Sequence, residues 1–177
     1  MLTLTIGKKN PILRNENKKI EHITHDVKEL VLDMFIKMRE WKGVGLAAPQ
    51  VGKNIQLFVV DSIAFKDESH KGVSKYKFDK IDNIDIKNGY VFINPIISKI
   101  SKPYNDEGEG CLSIPKKYGF VRRACRVNIK AKNLEGKEFK LHAKGFLAKV
   151  LQHEYDHLQG ILISDKWKEI KTKNNEQ

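Results

Sequence analysis

Of the chain's 177 residues only two are cysteine, Cys111 and Cys125, and five are proline. Two thiols cannot build the disulfide framework of a small secreted domain, so each is expected as a free thiol or a metal ligand. Long apolar runs are missing too, and no segment approaches the ~20 residues needed to span a bilayer. The N-terminal stretch MLTLTIGKKNPILRNENKK lacks the basic segment, apolar core and small-residue cleavage site of an export signal. These absences predict a cytoplasmic protein with no membrane partner. Acidic residues are scarce beside basic ones, 22 against 33, for a net charge of +11. The surplus is mostly lysine, spread over loops and tails without interleaved aromatics. It reads as a solvated surface rather than a DNA-binding site, although charge of this size speeds encounters with acidic partners.

What is present fits one globular domain over residues 1–177, with 40% hydrophobic and 31% charged residues. From Thr24 to Trp41 the apolar residues Val27, Leu30, Val31, Met34, Met38 and Trp41 follow helical spacing. Thr24 is placed to cap that helix and Gly43 to end it. GVGLAAPQVG then reads as a glycine-rich loop, and IQLFVVD as a strand. Residues 62–89 turn polar and lose any period, which predicts an insertion folded as a hairpin or surface loop. YVFINPIIS restores the β pattern, with Pro95 expected at an edge or strand end. Val127, Ile129 and Ala131 alternate as a strand, and EFKLH is its hairpin partner. A second helix is predicted from Ala143 to Leu158, stopped by Gly160. Residues 168–177 form a short basic tail. The expected class is α+β, a single domain of mixed or antiparallel strands around a central metal-binding helix.

That second helix contains LQHEYDHLQG. Phe146, Val150, His153 and His157 share one helical stripe, and Leu147, Leu151, Glu154 and Leu158 the next. Lys144, Lys149, Gln152, Asp156 and Gln159 are left for a more polar side. Two histidines and a glutamate are thus predicted to face inward, where a bare carboxylate is costly without a compensating group. Histidines one turn apart suit a shared metal, with Glu154 reaching a water beside it. Core histidines with their own partners remain the plainer alternative. A catalytic site commonly has three protein ligands. Asp165 is one candidate for the third, but Cys111, flanked by Gly110 and Leu112 and close to an acid, is stronger because thiolate binds metals well.

GVGLAAPQVG at 43–52, EGCLS at 109–113 and QHEYDHLQG at 152–160 together resemble, in order, the three motifs of the peptide deformylase family. KNPILR near the N-terminus and FVRRACRVNI after the cysteine are also similar to that family. The resemblance implies a hydrolase that removes the formyl group from N-terminal formyl-methionine of newly made polypeptides and releases formate. It implies Cys111, His153 and His157 as metal ligands, and Glu154 as general acid/base. Gln50 and the backbone N–H of Leu112 would bind the formyl oxygen. Ferrous iron would be the physiological ion, with zinc or another divalent metal also accommodated.

Physically, such a metal lowers the pKa of a water toward ~7, and a carboxylate in reach moves its proton. Gly43, Val44, Gly45 and Gly110 would bring main chain close to an extended substrate. Phe146 and Val150 would wall a methionine side chain, with ordinary core as their plain alternative. After SIP this chain has Lys116, Lys117 and Tyr118 where some relatives carry an arginine, so that contact is left open. The partners implied are nascent formyl-methionyl chains, with transient ribosome contact through the tail left open. Two other readings compete: a zincin-type peptidase, and a basic RNA- or ribosome-binding protein with a structural metal.

Overall fold

The computed structural model describes residues 2–66, 75–79, 88–101 and 103–170. A short helix α1 (Pro11–Arg14) precedes α2 (His25–Glu40), and the central helix α4 (Phe146–Leu158) comes late in the chain. Between them lie β1 (Gly45–Ala47), β2 (Leu57–Val60), α3 (Ser62–Lys66), β3 (Lys75–Asp79) and β4 (Tyr90–Ile100). There follow β5 (Pro103–Cys111), β6 (Ile114–Ala124), β7 (Arg126–Lys132) and β8 (Glu138–Lys144), with β9 (Lys168–Ile170) after α4. One antiparallel sheet has six strands in the order β1-β2-β4-β7-β8-β3, and a second has three, β5-β6-β9.

The larger sheet is covered on both faces. Along β2, Phe58 and Val60 pack with Leu147, Val150 and Leu151 of α4. The alternate residues Leu57 and Val59 pack with Val31, Met34 and Met38 of α2. Burial on both sides explains why LFVV reads as an unbroken apolar run rather than an alternating one. Phe58 and Phe92 stack at 4.7 Å between ring centroids, and both are fully buried. Truncating such a residue to alanine costs about 3–5 kcal/mol, because the lost contacts leave a cavity. Helix α2 begins as expected, with Thr24 Oγ1 accepting from the Val27 N–H. Its exit differs: Lys42, not Gly43, takes the left-handed conformation, at φ 57°.

Five further sequence expectations change. The GVGLAAPQVG loop contains strand β1 and a turn of 3-10 helix, Ala48–Val51. Pro95 lies inside β4, a central strand; it is tolerated at a register shift between Ile93 and Ile96, next to Asn94 at φ 48°. Within 62–89, α3 and β3 are ordered, and β3 pairs with β8 rather than forming a hairpin of its own. Residues 67–74 and 80–87 of that stretch lie outside the described residues. Helix α4 starts at Phe146, because Ala143 and Lys144 belong to β8 and Gly145 makes the corner at φ 71°. The tail expected from Lys168 onward instead begins with β9; its last residues, 171–177, lie outside the described residues.

Candidate metal centre

Three separated elements converge on one cavity. Helix α4 presents His153 and His157 one turn apart, their rings 5.1 Å between centroids. The end of β5 brings Cys111 beside them, with Sγ 3.3 Å from His157 Nε2. One ligand atom from each of the three lies within 4.8 Å of the others. Ligands at ~2.0–2.3 Å around one tetrahedral ion sit roughly 3.5 Å apart, so this cluster fits a divalent metal after small adjustments. Burial pushes the Cys111 thiol up, but the charge of His157 and hydrogen bonds with both histidines outweigh it and hold the thiol well below its ordinary range. Thiolate is the form that ligates a metal. Asp165 is elsewhere: both its carboxylate oxygens meet Arg14, at 2.5 and 3.0 Å.

Glu154 projects from the same helix, only 4% exposed, and its Oε2 has no hydrogen-bond partner among the described residues. Burial raises its pKa, with His153 and His157 pulling the other way. Its space exists because residue 45 is glycine. A Cβ at that position would stand 2.7 Å from Glu154 Cδ and closer still to Oε1. Gln50 is 2% exposed and its amide orientation is fixed. The Ala47 N–H donates to Oε1 at 2.8 Å, which turns Nε2 toward Ser113 Oγ at 3.2 Å and Cys111 Sγ at 3.8 Å.

The cavity holds about 640 Å³, and its walls include Gly43, Val44, Gly45, Gly110, Leu112, Phe146 and Val150. Of the residues that the family resemblance assigns to the site, all but His157 line it, together with Trp41, Glu109, Tyr118 and several lysines. His157 lies just behind, 1% exposed, with Nδ1 unpartnered among the described residues.

A supporting network was invisible in the sequence. Glu109 of β5 accepts from Arg123 of β6 at 2.9 and 3.0 Å, and Glu109 Oε2 lies 3.0 Å from His153 Nδ1. Holding Nδ1 in this way fixes the ring and directs Nε2 at the cluster. Arg123 also meets Asp156 at 2.5 Å, and Lys166 closes the group at 2.7 Å from Asp156 Oδ1. The Gln152 side-chain amide accepts from the Ala124 backbone N–H in β6 and donates to the Ala124 carbonyl. Gln152 and Asp156 were expected on the polar side of the helix, yet both are buried, because β6 covers that side. Cys125 lies outside the cavity lining, half-buried and not in a disulfide.

Comparison with known proteins follows the same lines. A family model described as polypeptide deformylase matches residues 4–173. The chain is 42% identical over 168 residues to the peptide deformylase of Dictyoglomus thermophilum, covering 95% of this chain and 94% of that protein. It is also 42% identical over 154 residues to peptide deformylase 1 of Clostridium perfringens, covering 87% and 90%. Among solved structures, the peptide deformylase of Thermotoga maritima superposes with a TM-score of 0.77 at 30% identity, over 95% of this chain and 98% of that one. A Synechococcus elongatus peptide deformylase, crystallised with actinonin, gives 0.77 at 32% identity, over 94% and 79%.

Proposed function

We propose how named residues carry out one reaction, since the chain belongs to the polypeptide deformylase family and is a hydrolase that removes the formyl group from N-terminal methionine. Cys111, His153 and His157 would hold one divalent cation, ferrous iron as the physiological ion and zinc as an alternative. When bound, that cation supplies Lewis acidity, lowering the pKa of a water toward ~7 and polarising a carbonyl. Glu154 accepts the proton of the attacking water and returns it to the methionine nitrogen as the C–N bond breaks, leaving formate and a free amine. Burial, which raises its pKa toward working pH, suits a group that must both take and give a proton.

Gln50 Nε2 and the Leu112 N–H donate to the formyl oxygen as it gains negative charge, which a fixed dipole does without reorganising. Main chain at Gly43, Val44, Gly45 and Gly110 receives the peptide as an added strand; β1 is the terminal strand of its sheet, so one edge is open to pairing. Phe146 and Val150 wall the methionine side chain. The substrates are nascent formyl-methionyl polypeptides in a bacterial cytosol or organelle matrix, with passing ribosome contact favoured by the net charge of +11. Residues 1–177 act as one catalytic domain, in which 62–89 is an insertion. No helix among the described residues is long and apolar enough to cross a membrane.

The observation that carries the assignment is Glu154, buried with an unpartnered oxygen beside a Cys-His-His cluster on a cavity wall. It separates this reading from a closed structural metal site, which has no use for such a carboxylate. The test is formate release from formyl-Met-Ala-Ser by protein loaded anaerobically with ferrous iron. Metal analysis of Cys111→Ala should show lost binding; full occupancy there would remove Cys111 from the ligand set.

A further inference from the structure

The charges on the cavity wall are segregated by depth. Glu109 and Glu154 are buried, and Glu109 is already paired with Arg123. The charged wall residues that reach solvent are Lys42, Lys116 and Lys117, with half-buried Lys149 lying 5.1 Å over the Phe146 ring. Among the described residues, an anionic group entering the cavity therefore meets ammonium groups before it meets a carboxylate.

Backbone conformation marks two of these lysines. Lys42 has φ 57° and Lys116 φ 61°, and Asn94 is the sole other non-glycine residue at positive φ among those described. Side chains disfavour this region, and glycine fills it freely. Lys42 leaves α2 while Lys116 sits near the start of β6, so two unrelated segments independently hold lysine where glycine would relieve strain. Strained positions persist where the side chain has a task, and both of these face the same cavity.

We propose that Lys42 and Lys116 make this deformylase select formyl-methionyl chains carrying aspartate or glutamate at the second or third residue. The proposal rests on the deformylase reading above. With the formyl group at the metal cluster, an extended peptide advances about 3.3 Å per residue, so its next residues pass the rim of the cavity. Partly solvated ion pairs are individually weak, and two together give a preference of roughly 3- to 10-fold.

The test uses ferrous-loaded full-length protein and C-terminally amidated peptides, which remove the competing terminal carboxylate. Formyl-Met-Glu-Ala and formyl-Met-Ala-Glu are compared with their glutamine counterparts. The expected kcat/KM ratio of glutamate to glutamine is roughly 3–10 for at least one position, carried mainly in KM. It should shrink toward one in about 0.5 M salt. The double variant Lys42→Gly/Lys116→Gly should bring the ratio near one while keeping its Tm, because glycine suits both backbone angles. Lys28→Ala, which removes a charge from α2 outside the cavity lining, should keep the ratio. A wild-type ratio of one, or a preference that survives the double variant, overturns the proposal. A flat ratio combined with RNA binding lost in the double variant would overturn it in favour of RNA. No formate from any peptide would sink the deformylase reading itself.

Discussion

Two buried carboxylates stand on either side of His153, and their surroundings drive them apart. Glu109, in the β5–β6 hairpin, is enclosed by partners. Burial pushes its pKa up, but hydrogen bonds with His153 and Arg123 overcome that and hold it at about 2. Glu154, on the cavity side, keeps an oxygen without a partner, and burial pushes its pKa up. One acid is held as an anion against the His153 ring. The other is the one that, in the proposed mechanism, exchanges a proton. Divergent environments for neighbouring titratable groups are what separates a fixed charge from an acid/base.

Exchanging the two roles by mutation should break this contrast. Glu154→Gln should lower kcat by about 10²–10⁴ while metal content and Tm stay near wild type; near-normal turnover would strip Glu154 of its role. Arg123→Ala should act on stability instead. It leaves Glu109 without its guanidinium and weakens the hold on Asp156, costing about 3–5 kcal/mol by denaturant titration. Acid should reach Glu109 selectively. Its folded pKa lies below the ordinary 4.5, so its contribution is whole above pH ~4.5 and is lost as pH falls toward about 2. The loss is on the order of 3 kcal/mol, and it should disappear from the stability–pH profile of Glu109→Gln.

Gly45→Ala sharpens the comparison from the other side, since the added methyl collides with Glu154 and not with Glu109. Roughly 100-fold loss of kcat with Glu109's stability–pH profile unchanged is expected, because small misplacements at reacting groups are costly. The smallest effect belongs to the exposed Arg14–Asp165 pair. Arg14→Ala should cost no more than about 1 kcal/mol, and a larger loss would show that its bond to the Gly160 carbonyl matters more than the ion pair.

The cavity side of this contrast was readable from residue order. His153, Glu154 and His157 follow helix periodicity, and periodicity survives into structure because one stretch of chain determines it. The network side was not. Arg123 lies in a basic stretch, RRACR, and it is buried only because β5 and α4 bring Glu109 and Asp156 to it. Gln152 and Asp156 misled for a related reason: a helix covered on its second side by β6 buries polar residues that satisfy one another. Pro95 shows the same limit, since a register shift in β4 depends on a partner strand more than 30 residues away. Local rules located the chemistry, and long-range pairing decided what supports it.

Asn17 donates to the carbonyls of His157 and Leu158, and Arg14 reaches the carbonyl of Gly160, contacts 140 to 146 residues apart in sequence. The end of the histidine helix is therefore fastened by a segment 140 residues earlier in the chain. Closing loops of this length is slow, and none can close before residue 157 has been synthesised. The end of α4 thus gains these ties only after β1 to β8, the strands that surround it, have all been made.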